Sequence, residues 1–319
     1  MTPTTLIDLH PPAADMQRLV QDGLRCRPRQ LPAWFLYDAE GSRLFDQICE
    51  QPEYQLTRTE IALLEHQSTA IADALGEGVI VEFGAGSARK VGPLLMALQP
   101  AAYVALDISA DHLHQATSAL QQQHQQVPML GICCDHSQLD RLPHHPLLEG
   151  QRRLGFFPGS SLGNFSRSQA IDLLSRFRRI LAGGPLLLGL DHPKPAAVLE
   201  AAYDDAAGVS AAFARNLLHR LNRDLDADFQ PEQFHYRARW QEPQQQVEMA
   251  LISKGHQTVT IGQQQWRFND GEPLVTEYSL KYSPAMAQEL AAAAGWRWMQ
   301  RWHDTGDTLS LHLLEPAAD

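Results

Sequence analysis

One segment restricts the fold of this chain more than any other: Val79-Ile80-Val81-Glu82-Phe83-Gly84-Ala85-Gly86-Ser87-Ala88-Arg89-Lys90. An apolar, β-branched run ends in an acid, breaks into Gly-Ala-Gly and then turns polar. That order predicts a buried strand, a tight turn and the start of a helix. Gly84 and Gly86 leave the turn open to close approach, since neither carries a Cβ. A second apolar run, Tyr103-Val104-Ala105-Leu106, ends at Asp107. It lies about 20 residues past the glycines, where a nucleotide-binding α/β unit places the carboxylate that grips a ribose hydroxyl.

The third glycine of the dinucleotide pattern is missing, and Arg89 stands in its place. This shifts the expected cofactor from a nicotinamide dinucleotide to S-adenosylmethionine, which has no phosphate. Further strands are expected at 129–134, 154–157 and 185–190, alternating with helices. Ser109 is the expected N-cap of the helix after Asp107. The strands end near Asp135, the turn Pro158-Gly159-Ser160-Ser161-Leu162-Gly163-Asn164, and Asp191. In an open parallel sheet, ligands bind outside the carboxyl ends of the strands. Gly84, Asp107, Asp135 and the Gly159–Asn164 turn are therefore expected around one crevice.

The pattern changes after about residue 195. A helical stretch at 196–224 leads to strand-like segments at 234–240, 247–252 and 276–282, then to a helix at 285–294 and strands at 296–303 and 309–314. Strands in succession after an α/β region suggest a separate α+β element. The expected architecture is α/β: a Rossmann-like sheet of residues 60–195 and 285–319, with a second α+β domain of residues 1–59 and 196–284. A ligand held between two such lobes would be sequestered from water.

The chain has 319 residues, 44% hydrophobic and 20% charged, with a formal net charge of -11. That charge disfavours nucleic acid and anionic membranes as partners. The N-terminus shows no basic, apolar leader pattern, and no apolar run approaches a membrane span. Four cysteines at 26, 49, 133 and 134 read as reduced thiols of a cytoplasmic protein. The pairs His112/His114 and His144/His145 lack a third ligand, so no metal is expected.

Five segments carry a family resemblance: Leu31 to Ser42, Pro52 to Glu60, Pro158 to Asn164, Tyr203-Asp-Asp-Ala-Ala-Gly-Val209 with Phe213 and Asn216, and Thr276-Glu-Tyr-Ser-Leu-Lys281. With these, from about residue 18 onward, the chain resembles the ergothioneine-pathway L-histidine Nα-methyltransferases. The resemblance implies a class I methyltransferase sheet, a substrate-binding second domain, and three methyl transfers from S-adenosylmethionine to the α-amine of L-histidine, giving hercynine. It implies cofactor contacts at Gly84, Lys90, Asp107, Asp135 and His136, beside the close approach already expected at Gly86. At 136 the family usually has Phe, whose stacking on adenine a His can replace. It implies Asn164 and Tyr203 at the substrate carboxylate, and Glu277 and Ser279 at the imidazole. Tyr37, Tyr54 and Gly159 would lie near the amine, with Tyr37 as the expected catalytic contact. Trp34-Phe35 stand one place earlier than usual, leaving Leu36 before Tyr37.

A strand spacing of two puts Glu277 and Ser279 on one face. A carboxylate and a hydroxyl can serve both imidazole nitrogens in either tautomer. An indole pocket has little use for that pair, which weighs against a relative acting on another α-amino acid such as a tryptophan derivative. A nicotinamide oxidoreductase would want the third glycine, and a non-catalytic binding protein would not need Gly84, Lys90 and Asp107. The enzyme is expected to act as a monomer.

Overall fold

The structure is a computed structural model that describes residues 5–9 and 13–318, the side chains of 13–15 excepted. The chain begins with strand β1 (Thr5–Asp8), helix α1 (Ala13–Arg25), the two-residue strand β2 (Arg29–Gln30) and helix α2 (Ala39–Glu50). Helix α3 (Leu56–Leu75) leads into β3 (Val79–Phe83), α4 (Gly92–Leu98), β4 (Ala102–Asp107), α5 (Ala110–Gln123) and β5 (Met129–Cys133). Then come β6 (Arg153–Phe157), α6 (Arg167–Leu181), β7 (Leu186–Asp191), α7 (Ala196–Tyr203) and α8 (Val209–Leu225). Strands β8 (Phe234–Gln241), β9 (Gln246–Ser253), β10 (Gln257–Ile261), β11 (Gln264–Phe268) and β12 (Pro273–Leu280) follow. Helix α9 (Pro284–Ala293) and strands β13 (Trp296–His303) and β14 (Leu309–Pro316) close the chain.

These elements fall into two units. Unit 1 comprises Met1–His10, Leu56–Pro193 and Lys281–Asp319; unit 2 comprises Pro11–Gln55 and Lys194–Leu280. The sequence reading assigned residues 1–59 wholly to the second domain. Residues 1–4 and 10–12 lie outside the described residues, but Thr5–Asp8 pairs in parallel with Leu130–Cys133 of β5 and so joins the sheet of unit 1. Four residues of modest apolarity gave no strand signal; the open edge of β5 supplies their partner.

The sheet of unit 1 runs β1-β5-β4-β3-β6-β7-β14-β13. Its first six strands pair in parallel, and β14 and β13 are antiparallel. Strands β3, β5 and β7 are buried along their whole length. Continuous apolar runs are what a sheet covered on both faces requires. Strand order reverses between β3 and β6, so the turns after these two strands stand at the topological switch point.

In unit 2, β2-β12-β9-β8 form one sheet and β10-β11 a hairpin. The hairpin went unread because its strands are largely polar on one face. The helix expected over 196–224 is broken. Tyr203 ends α7, and Asp205 opens α8 by accepting the N–H groups of Val209 (2.9 Å) and Ser210 (2.7 Å). Ser109 precedes α5 but makes no side-chain cap; its N–H instead donates to Asp107 Oδ1 at 3.1 Å.

A buried polar chain ties β14 to the end of β7. Trp298 Nε1–H donates to His312 Nδ1 (2.9 Å), and His312 Nε2 lies 2.7 Å from Ser310 Oγ. Ser310 Oγ lies 2.6 Å from His192 Nε2, and His192 Nδ1 meets the Asp307 carbonyl at 2.7 Å. An indole N–H can only donate and a carbonyl only accept, so the two ends of the chain are fixed. His312 Nδ1 accepts and its Nε2–H faces Ser310, while His192 Nδ1–H donates to the Asp307 carbonyl. The His312 ring is then neutral. Burial, followed by the charges of His192 and Arg301, pushes His312 from 6.5 down to about 3. The unfolded chain binds this proton below its ordinary value and the folded one does not. The contribution to stability is therefore complete above about 6.5 and is lost as pH falls towards 3, costing about 3 kcal/mol at pH 4. Unfolding free energies measured from pH 7 to 4 should fall less steeply in His312→Gln, which keeps an acceptor and a donor without a titrating ring. Equal slopes in the two proteins would show that His312 does not set the acid limit.

Candidate active site

Gly84 and Gly86 follow β3 with φ of +70° and +54°, a backbone region that L side chains rarely adopt. The turn folds back on Asp107 at the end of β4: Gly86 N–H donates to Asp107 Oδ2 at 2.8 Å. With Ser109 on the other oxygen, the carboxylate is fixed in orientation, and each oxygen retains a lone pair for a further donor. A Cβ built on Gly86 meets nothing within 4 Å, so the turn borders open space.

Lys90, at the far end of this turn, places Nζ 2.9 Å from Glu60 Oε2. Glu60 lies fully buried on α3. The N–H of Gly159, in the turn after β6, reaches both Glu60 oxygens at 3.0 and 2.8 Å. Asn164 ends the single 3₁₀ turn Ser161–Asn164 that follows. Ser160 Oγ accepts Asp191 N–H at 3.0 Å, pinning the turn to the end of β7.

Asp135 closes its own turn, accepting the N–H and hydroxyl of Ser137 at 2.9 and 2.6 Å. The His136 ring packs against Phe157, Phe177 and Phe83, with centroids 5.7, 6.0 and 6.4 Å away. Burial lowers its pKa against the opposing pull of Asp135 and Asp107, so the ring is neutral. Its Nε2 is buried without a hydrogen-bond partner. On β3, Glu82 accepts the Tyr103 hydroxyl at 2.5 Å, and burial pushes its carboxyl up to about 8, which makes it a neutral acid at pH 7.

Together these turns offer an ammonium, an oriented carboxylate with spare lone pairs, an imidazole set among phenyl rings, and open space at Gly86. The set fits the carboxylate, ribose hydroxyls and base of S-adenosylmethionine. All eight expected residues at 84, 86, 90, 107, 135, 136, 159 and 164 belong to unit 1 and follow the carboxyl ends of β3, β4, β5 and β6.

Tyr37, Tyr54, Tyr203, Glu277 and Ser279 belong to unit 2. Tyr37 follows a 3₁₀ turn (Ala33–Leu36) whose Phe35 and Leu36 are buried. The guanidinium of Arg220 fixes this turn from behind, donating to the Phe35 carbonyl at 3.0 Å. The Tyr37 ring lies 5.3 Å from Phe213 and 5.6 Å from Phe45. Phe45 continues to Tyr54 at 6.3 Å, and Tyr54 to Tyr203 at 5.7 Å, both edge to face. Aromatic pairs favour this geometry at these separations.

A bulge in β12 decides where Glu277 points. Val275 pairs with Ala250 but Glu277 pairs with Met249, so Thr276 is the extra residue. Residues 275 and 277, which plain alternation would put on one face, are thereby turned to opposite faces. The Thr276 hydroxyl bonds the Met249 carbonyl at 3.1 Å and fills the irregularity. Past the bulge, Glu277 and Ser279 oppose Met249 and Val247, on the face that packs against Leu199 and Tyr203 of α7 beside Tyr236 of β8. Tyr203 Oη lies 2.9 Å from Ser279 Oγ. Tyr236 Oη donates to the Tyr203 carbonyl at 2.7 Å, and burial, then the carboxylates of Asp204 and Glu277, raises its pKa.

Sequence reasoning did not single out Glu60, Glu82, Phe45 or Tyr236. Glu60 had a signal: it falls at the spacing of Leu56, Leu63 and Leu64, on the buried stripe of α3. An acid on an apolar stripe asks for a partner.

Over residues 16–316 the chain matches the histidine-specific, S-adenosylmethionine-dependent methyltransferases. It is 36% identical to a histidine N-alpha-methyltransferase of Mycobacterium tuberculosis, covering 93% of this chain and 94% of that one. It is 28% identical to ergothioneine biosynthesis protein 1 of Schizosaccharomyces pombe over 89% of this chain and 39% of that longer protein. The N-methyltransferase dtpB of Aspergillus flavus is 28% identical over 94% of this chain and 88% of its own. The chain belongs to the family of S-adenosylmethionine-dependent, histidine-specific methyltransferases.

Proposed function

We propose that the chain methylates the α-amine of free L-histidine three times, giving hercynine, and so serves ergothioneine synthesis. The main support is the face of β12 that carries Glu277 and Ser279 two residues apart, with Ser279 in contact with the Tyr203 hydroxyl. In this reading Glu277 accepts the imidazole N–H and Ser279 serves the other ring nitrogen. Asn164 and Tyr203 donate to the substrate carboxylate, and Gly159 and Tyr54 lie near the amine. Gly84, Gly86, Lys90, Asp107, Asp135 and His136 hold the cofactor. The relatives' names, a histidine N-alpha-methyltransferase and an ergothioneine biosynthesis protein, point the same way. The reading includes a monomeric cytoplasmic enzyme acting without nucleic acid or membrane. The net charge of -11 suits it, and no helix among the described residues is long and apolar enough to cross a membrane.

S-adenosylmethionine brings the activated methyl, so what the protein adds is orientation and a neutral amine. Tyr37 contacts the amine as a hydrogen-bond acceptor, directly or through water. The tyrosine rings also tolerate the quaternary ammonium product, since aromatic faces attract such cations. An amine gripped by carboxylates would stall after the first or second transfer.

Three outcomes test this reading. Asp107→Ala should cost about 1.5–3 kcal/mol of S-adenosylhomocysteine affinity by calorimetric titration, the value of hydrogen bonds to a charged acceptor. Unchanged affinity would remove Asp107 from the cofactor site. With cofactor in excess, a mass time course on L-histidine should end at the trimethyl product; an endpoint at one methyl would contradict the amine environment described.

Glu277→Ala should lower kcat/KM for histidine by up to about 10⁴ and relax the bias against phenylalanine and tryptophan. Its S-adenosylhomocysteine affinity should stay at the wild-type value. A variant that still prefers histidine as strongly as wild type would leave Glu277 a structural strand residue. Wild-type protein preferring tryptophan would favour a relative acting on another α-amino acid.

A further inference from the structure

Glu60 lies on α3, and its carboxylate bonds two turns at the switch point of the sheet. Lys90 Nζ stands 2.9 Å from Oε2, and Gly159 N–H reaches both oxygens at 3.0 and 2.8 Å. Neighbouring backbone is cleared for this arrangement. A Cβ at Gly159 would come within 2.7 Å of the Lys90 ammonium, and one at Gly189 within 2.0 Å of Glu60 Oε1. Gly159 also holds φ of +79°. Two glycines, one in the turn after β6 and one within β7, thus make room for one buried ion pair.

We propose that Glu60 is a positioning residue that sets Lys90 for the cofactor and the Gly159–Asn164 turn for the substrate. The proposal rests on the reading that these two places meet cofactor and substrate. An ammonium has three donors. Glu60 takes one and thereby aims the rest; without Glu60 the lysine stem is free to rotate, and its placement must be recovered from binding energy. The same carboxylate stops the Gly159 peptide from rotating, because its N–H has no other acceptor in the turn. One buried group therefore serves both halves of the reaction.

Glu60→Gln separates the two tasks, since its amide oxygen still accepts the Gly159 N–H but forms no ion pair. In calorimetric titrations, S-adenosylhomocysteine should bind about tenfold more weakly to Glu60→Gln than to wild type. The KM for histidine should change less than about threefold, since the amide keeps that hydrogen bond. Glu60→Ala should raise the histidine KM as well. In a Lys90→Met background, Glu60→Gln should cost no further cofactor affinity, because partners in one network are not additive. A purely structural Glu60 would lower the melting temperature and leave both constants at wild-type values, which would overturn the proposal. So would losses at Glu60 and Lys90 that add in full. If Glu60→Gln does not fold, Gly159→Ala gives the answer. Its methyl group displaces the Lys90 ammonium and should weaken S-adenosylhomocysteine binding, and wild-type affinity there would likewise overturn the proposal. Lys90→Met with unchanged affinity would remove Lys90 from the cofactor site and this proposal with it, leaving histidine methylation to stand.

Discussion

The chain leaves unit 1 after Pro193 and returns to it at Lys281. At that point of return, Lys281 Nζ lies 2.8 Å from Asp191 Oδ2, with both side chains buried. Tyr282 N–H also donates to the Asp191 carbonyl at 2.9 Å. The end of β7 thus holds the residue that follows the insertion. A long insertion costs little extra closure entropy once its ends are fixed, because that cost grows only with the logarithm of length. What it does require is a base that stays closed. A buried pair, strongly destabilising to break on one side, supplies that base. The same strand end carries the Asp191 N–H that fixes Ser160, so the closure of the insertion and the turn after β6 share one residue.

The acids around the first turn differ in what they do. Asp107 is held by two N–H donors, one on each oxygen. Glu82, a few residues away in sequence from Gly84, is sealed against the Tyr103 hydroxyl and rests as a neutral acid. Glu60 is neutralised by an ammonium. Burial and partner type divide the labour, and residue type alone would not.

Much of this was legible in the sequence. Val79–Phe83, Tyr103–Asp107 and Leu186–Leu190 read as strands because burial on both faces demands unbroken apolar runs. Gly84 and Gly86 read as a turn because few other residues go there. The two-residue spacing of Glu277 and Ser279 put them on one face, but which face depends on the bulge at Thr276, whose alternation looks regular in the sequence. Thr5–Asp8 was invisible because its strand exists only by virtue of the free edge of β5. The helix break at 204–208 was hidden by alanines that favour a helix, against an Asp205 side chain that caps the next one. His136 was expected at the base of the cofactor; what the sequence could not tell was that three phenylalanines from β3, β6 and α6 surround it. Except at the helix break, where Asp205 caps residues four and five places on, the missing information was a partner far away in the chain.

The place of β14 has a consequence for how the protein is made. Strand β7 is buried throughout and apolar up to Asp191, yet one of its two edges is covered only by β14. On the ribosome, every residue from 194 to 308 emerges between these two partners. The sheet of unit 2 has all its strands by Leu280, so it can be complete while β7 still shows bare N–H and C=O groups. Such an edge is a template for pairing with other chains. The nascent protein therefore carries its most adhesive surface for the whole time that the insertion is being synthesised, and only the arrival of Leu309–Pro316 covers it.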